Sequence, residues 1–170
     1  AYDAEGDTER KNASIVIDQC TWSNYYPDYE YAFMHKVPTN ASSIILMRLG
    51  EIYLLHAEAL AMTGDLSGAT EYVNKIRERA GIKTISVPAS QDAMIDAILH
   101  ERRLELAFEG FRFFDLLRHG FDRAKAIHDA MPQQDKYWQP RFPLTEETVY
   151  MPIPQTALDN NPSLVQNAGY

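Results

Sequence analysis

The chain has 170 residues, 45% of them hydrophobic, and a formal net charge of −8. Its length and apolar content are enough for one domain with a substantial core. The acidic balance, with no basic stripe interleaved with aromatic residues, argues against nucleic-acid binding. Cys20 is the only cysteine, so an internal disulfide and a cysteine metal cluster are excluded. No apolar run in the sequence is long enough to span a membrane.

The first 43 residues are predicted to be mostly irregular. Residues 1–13 are polar, charged and glycine-containing, which predicts a flexible or loosely attached arm. Ile15-Val16-Ile17 predicts a short strand. Residues 19–43 keep no helical period and contain Pro27 and Pro38 as breakers. We therefore expect a long irregular region there, of the kind that often carries function in compact domains.

A helical hairpin is predicted next. Its first helix runs from Ser42 or Ser43 to about Thr63, because apolar residues recur there at steps of three and four. The residues at these steps are Leu46, Leu49, Ile52, Tyr53, His56, Ala57 and Leu60. The small residues Ala57, Ala61 and Ala69 are expected at the contact between the two helices, where they would let the helix axes approach closely. Asp65 is predicted to cap a second helix from Leu66 to about Ala80. The order of small and aromatic residues is similar to a tetratricopeptide unit, and such a unit is expected to stack on further helices.

The stretch from Glu101 to Gly120 has charges in unusual places. It predicts the end of a helix that Ser90 caps, a break at Gly110, and a second short helix that stops at Gly120. At about 100° per residue, Glu101, Glu105 and Glu109 form a row on the apolar side of the first helix. Buried carboxylates are costly unless each is paired, and arginine suits such pairing. We predict a structural ion-pair network that contains Glu101, Arg102, Glu105, Glu109, Arg112, Asp115 and Arg118.

An alternative interpretation makes Glu101, Glu105 or Glu109 the acid and base of a glycoside hydrolase. One helical turn, about 5.4 Å, is close to the roughly 5–5.5 Å between the carboxyl groups of retaining enzymes. Residues four apart on one helix point the same way, however, and arginine neighbours would keep both acids ionised. The two interpretations differ in the expected pKa, which is raised in a proton donor and lowered in an ion pair.

We expect neither a metal nor a cofactor. Asp115 and His119 lie four residues apart and could share a metal, but no third ligand is obvious. No spaced Asp/Asn loop of the EF-hand type occurs.

Four motifs occur in order from about Ile44 to the C-terminus. They are Arg48–Ala59, Val73–Gly81, Glu101–Arg118, and Pro152-Ile153-Pro154 followed by Asn161-Pro162, Gln166-Asn167 and Gly169-Tyr170. Together they resemble the C-terminal region of SusD/RagB proteins, the surface nutrient-binding lipoproteins of Bacteroidetes outer membranes. The family usually has Ala at the place of Gly50. The resemblance divides the chain into an irregular aromatic-rich segment, 1–43, and a RagB/SusD-type helical domain with an extended tail, 44–170.

This resemblance implies a mostly α fold of tetratricopeptide-like hairpins with long irregular loops. It implies non-enzymatic capture of glycans, or sometimes peptides, at the outer-membrane surface. It also implies a SusC-type TonB-dependent transporter as partner. Because the chain has no initiator Met and no signal peptide, we expect an N-terminal part that carries the lipid anchor to lie outside this sequence. Cys20 is not in a lipobox context and is not expected to be that anchor.

The ligand site is predicted from aromatic residues, because a sugar ring stacks on flat aromatic faces while polar groups bind its hydroxyls. One candidate set has Asn24 and Asp28 beside it, and a second has Gln139 and Arg141. The aromatic residues are Trp22, Tyr25, Tyr26 and Tyr29 in the first set, and Tyr137 and Trp138 in the second. The alternative is that these residues pack against the remainder of the protein, since Tyr and Trp bury a large apolar area. A peptide- or protein-binding helical scaffold also remains open.

Overall fold

The computed structural model describes residues 1–19, 30–37, 45–130 and 144–170. These residues form eight helices and one two-stranded sheet, which confirms the predicted mostly α class. The helices are α1 (Tyr2–Glu5), α2 (Thr8–Ser14), α3 (Leu49–Met62), α4 (Leu66–Arg79), α5 (Gln91–Glu105), α6 (Arg112–Arg118), α7 (Phe121–Asp129) and α8 (Gln155–Asn160). The strands are β1 (Ile15–Gln19) and β2 (Glu30–Met34). The chain divides into two compact units, Ala1–Arg112 and Phe113–Tyr170.

The first fourteen residues are folded, so the prediction of a loosely attached arm was wrong. Asp7 caps α2 by accepting a 3.2 Å hydrogen bond from the backbone N–H of Arg10. The Tyr2 hydroxyl donates a 2.8 Å hydrogen bond to the carbonyl of Leu104, and Tyr2 is buried. Polar composition alone suggested disorder, but these residues find their partners on α5, far along the chain.

The predicted strand at Ile15 is confirmed as part of β1. It pairs with β2 in antiparallel register from Ile15 opposite Met34 to Gln19 opposite Glu30. The ribbon is closed at its base by a 2.8 Å bond from the His35 N–H to the Ser14 carbonyl. Strand β2 lies inside the region that was predicted to be irregular, so that prediction was wrong for residues 30–34.

The helical hairpin is confirmed and packs against α5. Asp65 caps α4 by accepting a 2.8 Å bond from the Gly68 N–H, and Ser90 caps α5 by accepting a 3.2 Å bond from the Ala93 N–H. The core of this unit is formed by buried residues of all three helices. They include Leu54, Ala57 and Ala61 of α3, Ala69, Val73 and Ile76 of α4, and Met94, Ile98 and Leu104 of α5.

Helix α3 begins later than predicted. Ala57 and Ala61 are buried at its contact with α4, as expected, but the larger apolar residues in its first half are exposed. It begins at Leu49 after an extended Arg48, with φ −151° and ψ 160°, rather than at Ser42 or Ser43. Leu46, Leu49 and Ile52, three of the apolar residues in the periodic pattern, are 83%, 63% and 40% exposed. Almost every side of α3 is apolar, so periodicity could not identify the face that is buried.

Helix α5 ends at Glu105, five positions before the predicted break at Gly110. Phe108 has a positive φ of 66°, in the left-handed region that non-glycine residues seldom occupy. Glu109 therefore lies in a turn rather than on the last turn of the helix. Its carboxylate is nevertheless buried, and it binds Arg48, which also binds the carboxylate of Glu105.

In the second unit, α6 and α7 are followed by an extended segment and α8. Gln166 holds the extended segment, because its side chain makes two hydrogen bonds, of 2.8 and 3.0 Å, with the backbone of Ile153. Among all the described helices of the chain, none combines the length and the apolar character needed to cross a membrane.

Candidate functional site

Glu101 is the most enclosed member of the predicted carboxylate row. Its side chain has 0% exposure, and each oxygen has its own cation. Oε1 lies 2.6 Å from Nη1 of Arg10 on α2, and Oε2 lies 2.8 Å from Nη1 of Arg77 on α4. Arg77 also binds Glu5 on α1 at 2.6 Å. One buried carboxylate of α5 thus joins three other helices through two guanidinium groups.

Glu105, one turn further along α5, is bound by three arginines. Its Oε1 accepts a short hydrogen bond from Nη1 of Arg48. Its Oε2 lies 2.5 Å from Nη2 of Arg79 and 3.2 Å from Nη1 of Arg10. Arg10 therefore bridges Glu101 and Glu105, and three arginines offset the cost of burying one carboxylate.

Gly50 lies against this cluster in the first turn of α3. A Cβ atom on Gly50 would be 2.7 Å from Nη1 of Arg48 and 2.7 Å from Oε1 of Glu105. These two atoms would have to move to admit it. Because glycine has no side chain, α3 can begin directly beside the ion pair.

Glu109 binds two cations that flank residues 37–47. Arg48 Nε lies 2.8 Å from Oε2, and Arg48 Nη2 lies 2.8 Å from Oε1. Lys36 Nζ binds Oε1 as well. Lys36 Nζ and Arg48 Nη2 also donate to the backbone carbonyl of Glu105, at 2.8 and 2.5 Å. They therefore satisfy a carbonyl at the end of α5, where no further turn of helix can do so.

The surrounding cations favour the ionised form of Glu105 and Glu109. Burial raises the pKa of Glu105, but its hydrogen bond and attraction to Arg48, with the charge of Arg79 and the hydrogen bond from Arg10, outweigh this effect and lower it below the ordinary value. The pKa of Glu109 is lowered in the same way, since burial is outweighed by Arg48 and Lys36. The buried carboxylates in turn raise the pKa of Arg48 against the effect of its own burial.

This arrangement is poorly suited to acid–base chemistry. A proton donor needs a pKa near the working pH, whereas Glu105 and Glu109 are shifted away from it. Glu101 has no exposed surface on which a substrate could lie. The lowered pKa values of Glu105 and Glu109 agree with the expectation for an ion-pair network and not with that for a hydrolase.

The other predicted members of the network are buried or bound locally. Arg102 is 1% exposed. Arg112 donates a 2.8 Å hydrogen bond from Nη1 to the carbonyl of Leu99. Asp115 is buried and lies 3.1 Å from Nη2 of Arg118, one turn along α6.

Five cations that bind the glutamate row were not among the predicted partners. They are Arg10, Lys36, Arg48, Arg77 and Arg79. Arg48, Arg77 and Arg79 lie in two of the quoted motifs, so the motifs could have indicated these three as partners of the glutamates. Arg10 lies in the segment predicted to be loose, and nothing in its local sequence indicated burial.

The aromatic residues predicted to bind a ligand all lie outside the described residues. They are Trp22, Tyr25, Tyr26, Tyr29, Tyr137 and Trp138. Over the described ranges, no three His, Cys, Asp or Glu side chains come together as a group that could hold a metal ion.

The sequence matches the model of the SusD family over residues 7–170. The chain belongs to the SusD family. Among its relatives, the SusD-like protein P38 of Formosa agariphila is 34% identical over 155 residues, which cover 84% of this chain and 28% of the relative. The starch-binding protein SusD of Bacteroides thetaiotaomicron is 31% identical over 181 residues, which cover 99% of this chain and 30% of that protein. The chain thus spans less than a third of the length of either relative.

Solved structures of SusD-type proteins have the same fold. The surface glycan-binding protein A of Bacteroides uniformis matches with a TM-score of 0.71 and 26% identity, over 95% of this chain and 38% of that one. The family match begins at residue 7, so it includes most of residues 1–43, the segment that the sequence analysis distinguished from the helical domain. Within this SusD-family chain, Arg10 of that segment and Glu101 of the third motif meet in a single ion pair.

Proposed function

We propose that this chain forms part of a SusD-type protein that binds glycans without cleaving them. The family match over residues 7–170 carries the proposal. It is supported by two relatives whose names state their ligand class: the starch-binding protein SusD, at 31% identity, and the surface glycan-binding protein A, at 26% identity.

The non-enzymatic part of the proposal rests on the carboxylates of α5. Glu101, Glu105 and Glu109 are enclosed by arginine and lysine side chains, and the pKa values of Glu105 and Glu109 are lowered. A retaining glycoside hydrolase needs two carboxyl groups on opposite sides of the scissile bond, one of them with a raised pKa. Here all three carboxylates are bound by cations of one network, and the pKa values of Glu105 and Glu109 are lowered rather than raised.

We assign the glycan contacts to the two predicted aromatic sets, Trp22, Tyr25, Tyr26 and Tyr29 in one and Tyr137 and Trp138 in the other. Their composition supports the assignment, because aromatic faces stack on the apolar side of a sugar ring. The neighbouring Asn, Asp, Gln and Arg side chains can bind hydroxyl groups.

The proposed partner is a SusC-type TonB-dependent transporter, and the proposed place of action is the outer-membrane surface. Both follow from the family resemblance. In this scheme the protein is lipid-anchored through its N-terminal part, and the glycan passes from the aromatic sets to the transporter.

The test is electrophoresis of the full polypeptide in gels loaded with single polysaccharides, with reducing ends assayed in parallel. We expect retardation on at least one glycan and no new reducing ends. Trp22→Ala or Trp138→Ala should abolish or weaken that retardation. Tyr150→Ala is a suitable control, because Tyr150 is 66% exposed and lies outside both predicted sets.

Other results would change the assignment. New reducing ends that Glu105→Gln removes in a folded protein would establish a hydrolase. Retardation that neither tryptophan affects would leave glycan binding in place and refute the assigned contacts. If the gels show no retardation and the assay shows no cleavage, the result would favour the peptide- or protein-binding scaffold.

A further inference from the structure

An open cleft of about 380 Å³ lies at the corner where α2 runs into β1. Ser14 ends the helix and Ile15 begins the strand, with no linker between them. The Ile15 N–H donates to the carbonyl of Lys11, so the last turn of α2 is held against the start of the strand. This corner cleft is lined by Lys11, Asn12, Ile15, Val16, Ile17 and His35.

The pairing of β1 with β2 brings two of these residues to one face of the ribbon. When the register is continued by one pair, Ser14 lies opposite His35, and the bond from the His35 N–H to the Ser14 carbonyl joins them. Successive side chains of a strand alternate between its two faces. His35 and Val16 therefore project from the same face, which places an imidazole beside an aliphatic side chain.

The polar groups of the corner cleft are available to a ligand. Asn12 and His35 are exposed, and within the part of the chain that the structure describes neither the Asn12 amide nor the His35 ring has a hydrogen-bond partner. The Lys11 ammonium lies 2.5 Å from Oδ1 of Asp3, whose side chain is 80% exposed. An exposed pair contributes little, and an ammonium has two further N–H donors. Asp3 therefore leaves Lys11 able to bind a second anion.

The charge of the corner cleft differs from that of the whole chain. The chain has 24 Asp and Glu against 16 Lys and Arg, but none of the described residues that line the cleft is acidic. Asp18, further along β1, turns back to accept a 2.7 Å bond from the Gln19 N–H. Lys36, next to His35, is already bound to Glu109. A lining with one ammonium and no carboxylate is complementary to a negatively charged group.

The remaining lining residues indicate what carries that charge. The Asn12 amide can donate to one hydroxyl and accept from another, and an imidazole also offers hydrogen bonds to hydroxyls. Ile15, Val16 and Ile17 provide aliphatic surface for the C–H groups of a sugar ring. The volume of the cleft lies within the roughly 300–1,000 Å³ of small-molecule sites, so part of a glycan fits it.

We propose that the corner cleft binds a sugar that carries an anionic group, either a carboxylate or a sulfate ester, with Lys11 at the anion and Asn12 at the hydroxyls. This inference rests on the proposed glycan binding and names the class of glycan. It is independent of which aromatic set contacts the ligand.

The test is isothermal titration calorimetry of the full polypeptide that carries this sequence. Salt at about 0.15 M screens charges that lie more than about 8 Å from the probe. The anionic probes are trigalacturonate and sulfated maltotriose, and their neutral counterparts are carboxyl-reduced trigalacturonate and maltotriose. At least one anionic probe should bind about ten times more tightly than its neutral counterpart, as expected for a hydrogen bond to a charged group.

Substitutions then locate the site. Lys11→Gln should abolish the preference for the anionic probe, whereas Lys11→Arg should retain it. Lys125→Gln is the matched control, because it also removes one ammonium and one exposed ion pair, at 2.7 Å from Asp129, and it should keep the preference. Asn12→Ala should weaken the binding of anionic and neutral probes alike by several-fold. Circular dichroism checks that each variant folds.

A measurement on the unsubstituted protein keeps the test decisive if Lys11→Gln does not fold. The preferred anionic trisaccharide should slow acetylation of Lys11, measured by mass spectrometry, and should leave acetylation of Lys125 unchanged. Equal protection of both lysines, or of neither, would contradict binding in the corner cleft.

Four further results would overturn the proposal. Equal affinity for anionic and neutral probes, or binding of the neutral probes alone, would refute it and leave glycan binding in place. Equal effects of Lys11→Gln and Lys125→Gln would mean that net charge sets the preference. Hexaglutamate bound as tightly as the anionic trisaccharides would indicate an acidic peptide instead. No binding of any probe, with no retardation in any polysaccharide gel, would refute the proposed function as well.

Discussion

Nη1 of Arg10 lies 2.6 Å from Oε1 of Glu101, although 91 residues separate the two in the sequence. Both side chains are buried, and the second oxygen of Glu101 is held by Arg77. This pair fastens α2 to α5 and makes the N-terminal segment part of the folded unit. A buried ion pair of this kind is expensive to break from one side, because the remaining charge stays buried without its partner.

The first prediction concerns Glu101→Gln. The neutral amide would leave Arg10 and Arg77 without their shared negative charge, and we expect a loss of about 3–5 kcal/mol in the free energy of unfolding. Urea denaturation measures the loss. Glu71→Gln is the control, since Glu71 pairs with Lys75 at 2.8 Å but is 67% exposed. It should cost less than about 0.5 kcal/mol. Equal losses in both variants would contradict a buried network.

The second prediction concerns the dependence of stability on pH. The pKa values of Glu105 and Glu109 are lowered from 4.5 in the folded protein, so the unfolded chain takes up protons first as the pH falls. The stabilisation is therefore complete above the ordinary carboxyl range and is lost as the pH falls through the lowered values. Unfolding free energies measured between neutral and acidic pH should show this decline.

The Glu109→Gln variant isolates the contribution of Glu109 to that decline. It should be less stable at neutral pH and should lose less further stability on acidification than the parent protein. Glu71→Gln should retain the parental pH profile. If the parent instead became more stable on acidification, the carboxylates would have raised pKa values, as a proton donor would.

The third prediction concerns Tyr2→Phe. This change removes the 2.8 Å hydrogen bond to the Leu104 carbonyl and keeps the buried ring. We expect a loss of about 0.5–1.5 kcal/mol, the usual net contribution of one hydrogen bond. Thermal or urea unfolding measures it, and Tyr150→Phe, at a position 66% exposed, is the control. If Tyr2→Phe had no more effect than Tyr150→Phe, the N-terminal helix would not be docked on α5 in solution.

The fourth prediction concerns Gly50→Ala. Replacing glycine by alanine in a helix normally adds about 1 kcal/mol of stability. Here the new Cβ would lie 2.7 Å from both Arg48 Nη1 and Glu105 Oε1, so the ion pair must shift to admit it. We expect a gain well below the helix-propensity value and a weaker decline of stability on acidification. The full gain with an unchanged pH profile would mean that the pair relaxes without cost.

The sequence was sufficient to predict elements that depend on local signals. Asp65 and Ser90 were identified as helix caps because a short polar side chain before an apolar periodic run has a direct local role. The burial of the glutamate row was also predictable, because the row lies among apolar residues. That burial in turn required cationic partners. The family resemblance then followed from motifs whose order is visible in the chain.

Contacts between distant segments could not be predicted in the same way. The partners of Glu101 and Glu105 include Arg10, 91 and 95 residues away, and no local pattern distinguishes this arginine from a solvated one. Helix α5 ends at Glu105, and Phe108 in the turn that follows is left-handed, a conformation that its residue type does not predict. In α3, Ala57 and Ala61 were expected at the contact with α4 and are buried, whereas larger apolar residues of the same helix, such as Leu49, are exposed. Both sides of α3 are apolar, and only the packing of α4 and α5 decides which side is buried.

The ion pairs of Glu109 affect how residues 37–47 could change in length. Lys36 and Arg48 bind the same carboxylate, so the entry and exit of residues 37–47 are fixed to one point of the scaffold. When the two ends of a segment are already held together, doubling its length adds only about 0.6 kcal/mol of closure entropy. By this entropy term alone, lengthening the sequence between Lys36 and Arg48 would cost little. The ion pairs at Glu109 thus hold both ends of this segment against the end of α5.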